Sequence, residues 1–167
     1  RRLHTPWLPA FVALAALFSG CGGSDEQGEL IGRRLEFRLP TLDGRELGPP
    51  DLSGQVVLVE MWATWCGPCR IQAETLEELA PELARRGATV LSVNVGEPRE
   101  LVASHLADVP SRWPALLDQE ETVSRDLGVM ALPTLMILDG SGTVRSVEVG
   151  VRSAKVILTL VDQARES

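Results

Sequence analysis

The sequence contains few of the residues that build metal sites. It has three cysteines and two histidines, and two of the cysteines, Cys66 and Cys69, are closely spaced. After this pair, His105 is the one further cysteine or histidine in the sequence. A structural zinc ion takes four cysteine or histidine ligands. Covalent haem attachment takes a histidine directly after the CxxC motif, and this chain has Arg70 there. We therefore predict no metal site within one chain and no cofactor.

Positive charge is also scarce, because 16 Lys and Arg residues face 23 Asp and Glu residues and leave a net charge of −7. Nucleic-acid binding requires a basic patch, so this balance argues against a nucleic-acid partner. Internal repeats and low-complexity runs are missing. The 167 residues, 44% of them hydrophobic, suit a globular chain with one sizeable domain. We expect a monomer.

A hydrophobic run long enough for a membrane helix is missing as well. The N-terminal apolar stretch Leu8–Phe18 is shorter than the roughly 20 residues that cross a bilayer as a helix. It follows two arginines and precedes small residues, which is the layout of a secretory signal peptide. We therefore predict that residues 1–20 are a signal peptide and that the mature protein works outside the cytoplasm.

The end of this segment, LFSGC at residues 17–21, resembles a bacterial lipobox. In a lipobox the cysteine is lipidated and becomes the new N-terminus, so we predict Cys21 as the lipidation site and a lipid anchor in the membrane. A flexible tether over residues 21–31, rich in glycine and acidic residues, is expected to follow. Ordinary cleavage near Gly20, which would leave Cys21 as a free thiol, is the alternative.

The remaining chain alternates between β-forming apolar runs and amphipathic helices. The predicted strands are 35–39 and 45–47 (a hairpin), 56–61, 89–95, 134–138 and 144–149. The predicted helices are 66–86, 99–107, 121–127 and 154–165, and the first should bury Ile71, Leu76, Leu79 and Leu83. This order predicts an α/β domain over residues 32–167, with a mixed central sheet between helices and an extra N-terminal β-hairpin.

The cysteine pair follows a predicted buried strand and opens a predicted helix. Cys66 should therefore lie beside the unpaired N–H groups of the helix N-terminus, which favour a thiolate. Cys69, one turn later, is placed to resolve a mixed disulfide by attacking Cys66. Gly67 allows the tight entry into the helix, and Pro68 fits its first turn. These features favour thiol-disulfide exchange over two inert thiols.

The segment MWATWCGPCR, residues 61–70, closely resembles the active-site segment of the thioredoxin superfamily. The resemblance extends from Ile31 to Gln163 and is strongest to the membrane-anchored TlpA/ResA-like branch, which has an extra N-terminal hairpin and a central insert. It implies a thioredoxin-like three-layer α/β/α fold. LPT, residues 132–134, followed by an apolar strand and an Asp-Gly turn, belongs to the same pattern.

The resemblance also implies roles for residues around the pair. Pro133 matches the cis-proline of the superfamily, and the backbone of Leu132 would pair with a bound substrate chain. Trp65, with Gly67 and Pro68, would belong to the substrate-binding surface, where Trp65 shields the disulfide. Trp62 would line the site.

Glu60 interrupts an apolar strand six residues before Cys66, at the place where thioredoxins hold a buried acid. We predict a raised pKa, because burial disfavours the charged form, and a role as proton acceptor and donor for Cys69. A salt-bridged or edge-exposed glutamate is the alternative. Relatives often carry glutamate where this chain has Gln72, which gives Glu60 more weight. His105 is interpreted as a surface residue of the insert.

The sequence therefore predicts a lipid-anchored, extracytoplasmic thiol-disulfide oxidoreductase that reduces disulfides in client proteins through Cys66 and Cys69. The resemblance implies apocytochrome or metallochaperone thiols as client classes. Since an oxidising compartment would keep the pair as a disulfide, the reductant needs electrons from a transmembrane thiol shuttle. A disulfide-forming oxidant or isomerase and a module that handles Cu(I) are the alternatives.

Overall fold

The computed structural model describes residues 30–167. The predicted signal peptide 1–20, Cys21 and the predicted tether up to residue 29 lie outside the described residues. Leu30, which the sequence analysis assigned to the tether, is buried and packs against the core, so the folded part already includes residue 30. Within residues 30–167, helices are too short or too polar to cross a membrane.

A five-stranded mixed sheet lies at the centre of the domain, and a two-stranded hairpin precedes it. The central strands are β3 (Val56–Trp62), β4 (Ala88–Val95), β5 (Ala115–Asp118), β6 (Thr134–Leu138) and β7 (Val144–Val149), in the spatial order β5-β4-β3-β6-β7. The first three run parallel, whereas β6 is antiparallel to β3 and β7 is antiparallel to β6. The predicted mixed sheet is confirmed.

Helices cover both faces of the sheet. They are α1 (Gly67–Arg85), α2 (Arg99–Asp108), α3 (Thr122–Asp126) and α4 (Ala154–Arg165). On one face, α1 and α4 pack against alternate residues of the strands, such as Leu58 and Ile137. On the other face, the N-terminal segment and the residue that follows α3, Leu127, pack against Val57 and Val59. The three-layer thioredoxin-like architecture is confirmed.

Two details of the predicted strands differ from the structure. The hairpin is shorter than expected, with β1 at Leu39–Pro40 and β2 at Glu46–Leu47, because the backbone of Leu35 donates to Gly142 instead of to a hairpin partner. Strand β5 was not predicted at all. It is a four-residue edge strand directly after Pro114, and so short an apolar run does not distinguish strand from loop.

The buried face of α1 differs from the predicted one by one residue. Ile71 is exposed, whereas Gln72 is fully buried. Positions 72, 76, 79 and 83 follow the i, i+4, i+7, i+11 spacing of one helical stripe, and position 71 lies about 100° away from it. Gln72 therefore occupies the buried position that the sequence analysis assigned to Ile71 because Ile71 is apolar.

Candidate active site

The two cysteines lie where the central strand β3 gives way to helix α1. Cys66 is the N-cap of α1, and its Sγ accepts a hydrogen bond from the backbone N–H of Cys69 at 3.2 Å. The two sulfur atoms form a disulfide bond, with 5.3 Å between the Cα atoms. When the pair is reduced, this N–H and the helix N-terminus favour a thiolate on Cys66. The arrangement suits Cys66 as the attacking sulfur.

Gly67 and Pro68 form the first turn of α1, as the sequence predicts. The Leu132–Pro133 peptide bond is cis and immediately precedes β6. The carbonyl of Pro133 accepts from the backbone N–H of Gly150 at 2.8 Å, which joins this turn to the end of β7. Leu132 packs against the apolar cluster that contains both cysteines.

Two exposed apolar side chains lie in the loops that precede Cys66 and Leu132. Trp65 is 74% exposed, and Met130, in the loop before Leu132, is 81% exposed. Trp65 was predicted to shield the disulfide, and its side chain is mostly in solvent here. Met130 was not identified from the sequence. Exposed large apolar side chains beside a reactive pair are typical of a surface that binds another chain.

Glu60 is 3% exposed in the central strand β3, between Ser92 of β4 and Leu135 of β6. Its Oε1 has no hydrogen-bond partner among residues 30–167, and the ion pairs of the described residues do not include it. The alternative of a salt-bridged or edge-exposed glutamate is therefore wrong. Burial, and secondly the negative charge of Glu77, raise the pKa of Glu60 to about 8.

A cavity of about 350 Å³ lies beside the cysteine pair and Glu60, and the sequence did not predict it. Glu60 and Cys69 both line it. His105 lines it too, half-buried, with its ring centroid 5.7 Å from that of Trp62. The interpretation of His105 as a surface residue therefore has to be corrected, because α2 folds back over the active-site end of the sheet. The cavity gives Glu60 a path to the solvent.

Gln72 connects α1 to the loop before α4. Its Oε1 accepts from the backbone N–H of Arg152 at 2.7 Å, while its Nε2 has no partner within residues 30–167. The amide is neutral, so the acid that relatives place at this position has no counterpart here. Within the residues that line the cavity beside Cys69, Glu60 is the deeply buried acid.

Glu97 is a further residue that the sequence analysis did not identify. It follows β4, is buried, and fixes the loop that carries the cysteines. Its carboxylate accepts from the backbone N–H of Thr64 at 2.7 Å, from Thr64 Oγ1 at 2.6 Å and from Asn94 Nδ2 at 2.6 Å. The sequence did contain a signal for this contact. Thr64 follows β3 and Glu97 follows β4, and parallel strands bring their carboxyl ends to the same edge of the sheet.

We expect Glu97→Ala to destabilise the protein by about 3 kcal/mol, because it leaves the Thr64 N–H and the Asn94 amide without an acceptor. Glu97→Gln should lower the free energy of unfolding by only about 1 kcal/mol. Its amide oxygen can accept from the Thr64 N–H and from Asn94, and its nitrogen can donate to Thr64 Oγ1. Denaturant unfolding of both variants measures the difference, with the exposed Glu100→Ala as control. Equal stability of the two Glu97 variants would contradict this assignment.

A family model supports the relationship of this fold and site to known proteins. Residues 31–147 match the model of the AhpC/TSA family. Among curated proteins, the thiol-disulfide oxidoreductase ResA of Geobacillus thermodenitrificans (strain NG80-2) is 33% identical over 122 residues, which cover 73% of this chain and 70% of the relative. The thioredoxin-like protein YneN of Bacillus subtilis (strain 168) is 34% identical over 122 residues, covering 72% of this chain and 71% of the relative.

Solved structures give the same picture. A putative thiol:disulfide interchange protein DsbE from Chlorobium tepidum superposes with a TM-score of 0.74 at 28% identity, covering 80% of this chain and 96% of the neighbour. A secreted thiol-disulfide isomerase from Corynebacterium glutamicum superposes with a TM-score of 0.69 at 26% identity, covering 78% of this chain and 86% of the neighbour.

Proposed function

Because the chain belongs to the AhpC/TSA family and is a thiol-disulfide oxidoreductase of the ResA type, we propose that it reduces disulfides in client proteins outside the cytoplasm. The observation that carries this proposal is the position of Cys66, which caps α1 and accepts the N–H of Cys69. Relatives of this kind are extracytoplasmic. Gly67 and Pro68 between the cysteines also resemble reducing thioredoxins.

In the proposed reaction, the thiolate of Cys66 attacks one sulfur of a client disulfide. The client S–S bond breaks, its other sulfur leaves as a thiolate, and a mixed disulfide joins Cys66 to the client. Cys69 then gives its proton to Glu60 and attacks the sulfur of Cys66. The client gains two electrons and leaves with both sulfurs as thiolates, which take up protons from water, and the enzyme is left with the Cys66–Cys69 disulfide and a proton on Glu60.

The surface beside the pair supports an extended client segment as the substrate. The exposed side chains of Trp65 and Met130 offer apolar contacts, and Leu132, next to the cis-Pro133 bond, packs against the cluster that contains both cysteines. We propose Leu132 and Pro133, with Gly67 and Pro68, as the client-binding residues. Apocytochrome or metallochaperone thiols remain the proposed client classes, on the resemblance to the TlpA/ResA-like branch.

The reduction potential of the Cys66–Cys69 pair tests the direction of the reaction. The protein with Cys21→Ala, which leaves only the pair to titrate, is equilibrated with graded thiol buffers, and free thiols are counted by alkylation. We expect a potential near the value of about −270 mV that thioredoxin has. A potential above roughly −150 mV would instead indicate an oxidant. Absence of a disulfide, with stoichiometric Cu(I) binding, would indicate metal handling.

A reductant outside the cytoplasm has to be re-reduced after each turnover, because its surroundings are oxidising. We propose that a transmembrane thiol shuttle supplies these electrons and that a lipid on Cys21 holds the protein at the same membrane. The lipobox-like segment LFSGC supports this anchor, and more than one acyl chain gives stable attachment. If Cys21→Ser leaves the protein in the membrane fraction, the lipid anchor is refuted.

A further inference from the structure

The cavity beside Cys69 lies between α1 and α2 and extends from the buried strand β3 to the surface. Its inner end is formed by Glu60, Trp62 and Cys69, which are all buried, and its outer end by exposed residues that include Val109 and Ser111. A single space of about 350 Å³ therefore joins the buried carboxyl of Glu60 to the solvent. The walls at the outer end belong to α1 and to the segment that follows α2.

Three residues that line this cavity each have a buried polar atom without a hydrogen-bond partner within residues 30–167. These atoms are Oε1 of Glu60, Nε1 of Trp62 and Nε1 of Trp113. Buried polar groups are ordinarily paired with protein or water, and the volume has room for several water molecules. Waters in this space could exchange protons with the carboxyl of Glu60, which lines its inner end.

Glu77, halfway along α1, closes one side of the outer end. Its carboxylate accepts from Ser111 Oγ at 3.1 Å, from the backbone N–H of Arg112 at 2.9 Å and from the guanidinium of Arg112. Burial alone would raise the pKa of Glu77, but the hydrogen bonds from Arg112 and Ser111 outweigh it and lower the pKa. Glu77 is therefore a carboxylate at neutral pH that faces the same cavity as Glu60.

Other charged or titratable groups also face this cavity, and they have to be considered with Glu77. From α1 these are Cys69, Arg70, Glu74 and Glu78, and from α2 His105. Strands β4 and β6 place the uncharged Ser92 and Leu135 beside Glu60. The cation that contacts Glu77 directly is Arg112, and Arg70 lines the same cavity. Even with these cations nearby, the negative charge of Glu77 adds to burial in raising the pKa of Glu60.

We propose that Glu77 is a positioning residue for the redox cycle, which holds the segment 111–113 over the cavity and keeps the proton on Glu60 through its negative charge. The inference rests on the proposed role of Glu60. The contact with Arg112 keeps Trp113 on the cavity wall, and the fixed carboxylate favours the neutral form of Glu60. Glu60 then has to release its own proton to the solvent through the cavity before it can accept the proton of Cys69.

The first test is a titration of the Glu60 carboxyl by carbon-13 NMR in the full oxidised protein. Glu77→Gln keeps the shape of the side chain and removes the charge, and we expect it to lower the midpoint of Glu60 by about half a unit to one unit. Glu78→Gln removes the same charge from the next residue, which makes no contact with Ser111 or Arg112, and should shift it much less. Equal shifts would overturn the proposal.

The second test measures the rate of client release from the mixed disulfide against pH, using a peptide with one disulfide bond. The rising limb of this rate should move to lower pH in Glu77→Gln by the same amount as the NMR midpoint. If the release rate of Glu60→Gln still rises with pH in the same range, Glu60 is not the proton acceptor. The NMR midpoint of Glu60 in Glu77→Gln still reports the effect of Glu77 in that case. Hydrogen exchange at the Arg112 amide should become faster in Glu77→Ala and not in Glu78→Ala.

Discussion

Replacement of Cys66 by serine is expected to reduce the turnover of a disulfide-containing peptide by at least about a thousandfold, because the attacking sulfur is lost. Replacement of Cys69 by serine is expected to stop turnover at a different point. Cys66 still attacks, but no second sulfur releases the client, so a covalent complex with the client accumulates. The position of Cys66 at the helix N-cap, with the N–H of Cys69 on its sulfur, is the reason why we expect these different roles.

Non-reducing electrophoresis and intact-protein mass spectrometry distinguish the two variants, because only Cys69→Ser should carry the mass of the client. Cys21→Ser provides the matched control, since it removes a thiol of the same chain that lies outside residues 30–167. It should turn over the peptide at the rate of the unmodified sequence. Accumulation of the complex in Cys66→Ser instead would exchange the roles of the two cysteines.

The second large effect concerns stability, and we expect Glu60→Gln to make the oxidised protein more stable above neutral pH. The pKa of Glu60 is raised by burial from 4.5 to about 8. Between these two values the folded state keeps a proton that the unfolded state has released. The free energy of unfolding therefore falls as pH rises through this window, by up to roughly 5 kcal/mol in total. Glutamine does not titrate, so its variant lacks this loss.

Denaturant unfolding between pH 5 and pH 9 measures this effect as the difference between the two proteins. The difference should be smallest at acidic pH, grow with pH, and level off above about 8. Glu46→Gln, on the exposed hairpin strand β2, should show no such growth. A Glu60→Gln variant that is no more stable than the unmodified sequence at pH 9 would mean that Glu60 does not titrate as a buried acid.

The same substitution should slow the release of the client from Cys66 by roughly a hundredfold, which is the usual size of a general-base contribution. Greater stability together with slower turnover distinguishes a functional acid from a structural one. A structural glutamate would lose stability when it is replaced. The comparison therefore separates the two interpretations of Glu60 within one variant.

Local sequence patterns were sufficient for most of the fold. The apolar strand 56–62 and the helix that starts after Cys66 are visible as a buried run followed by an amphipathic stripe. Strand β5 was missed because its four residues take their structure from pairing with β4, a contact that the sequence does not show. Ile71 was misplaced because Gln72, a polar residue, completes the buried stripe through a bond to Arg152.

The site was predictable only where a short motif identifies it. The CGPC segment, Pro133 and the acid at Glu60 each match a position of a known pattern. The contact of Glu77 with Arg112 and the contact of Glu97 with Thr64 join residues 35 and 33 positions apart, and the cavity brings together residues from Glu60 to Trp113. Such contacts depend on how α1, α2 and the sheet pack together, and no local periodicity encodes them.

The depth of the disulfide limits when the enzyme can act. Cys66 is 4% exposed and Cys69 is 3% exposed, so a client sulfur has to approach within bonding distance of a recessed atom. A disulfide held inside a rigid folded client cannot make this approach, whereas one in a loose segment can. Under the proposed function, we expect reduction to precede the completion of a client's folding. Clients that fold quickly should then escape reduction, and slow-folding ones should be open to it for longer.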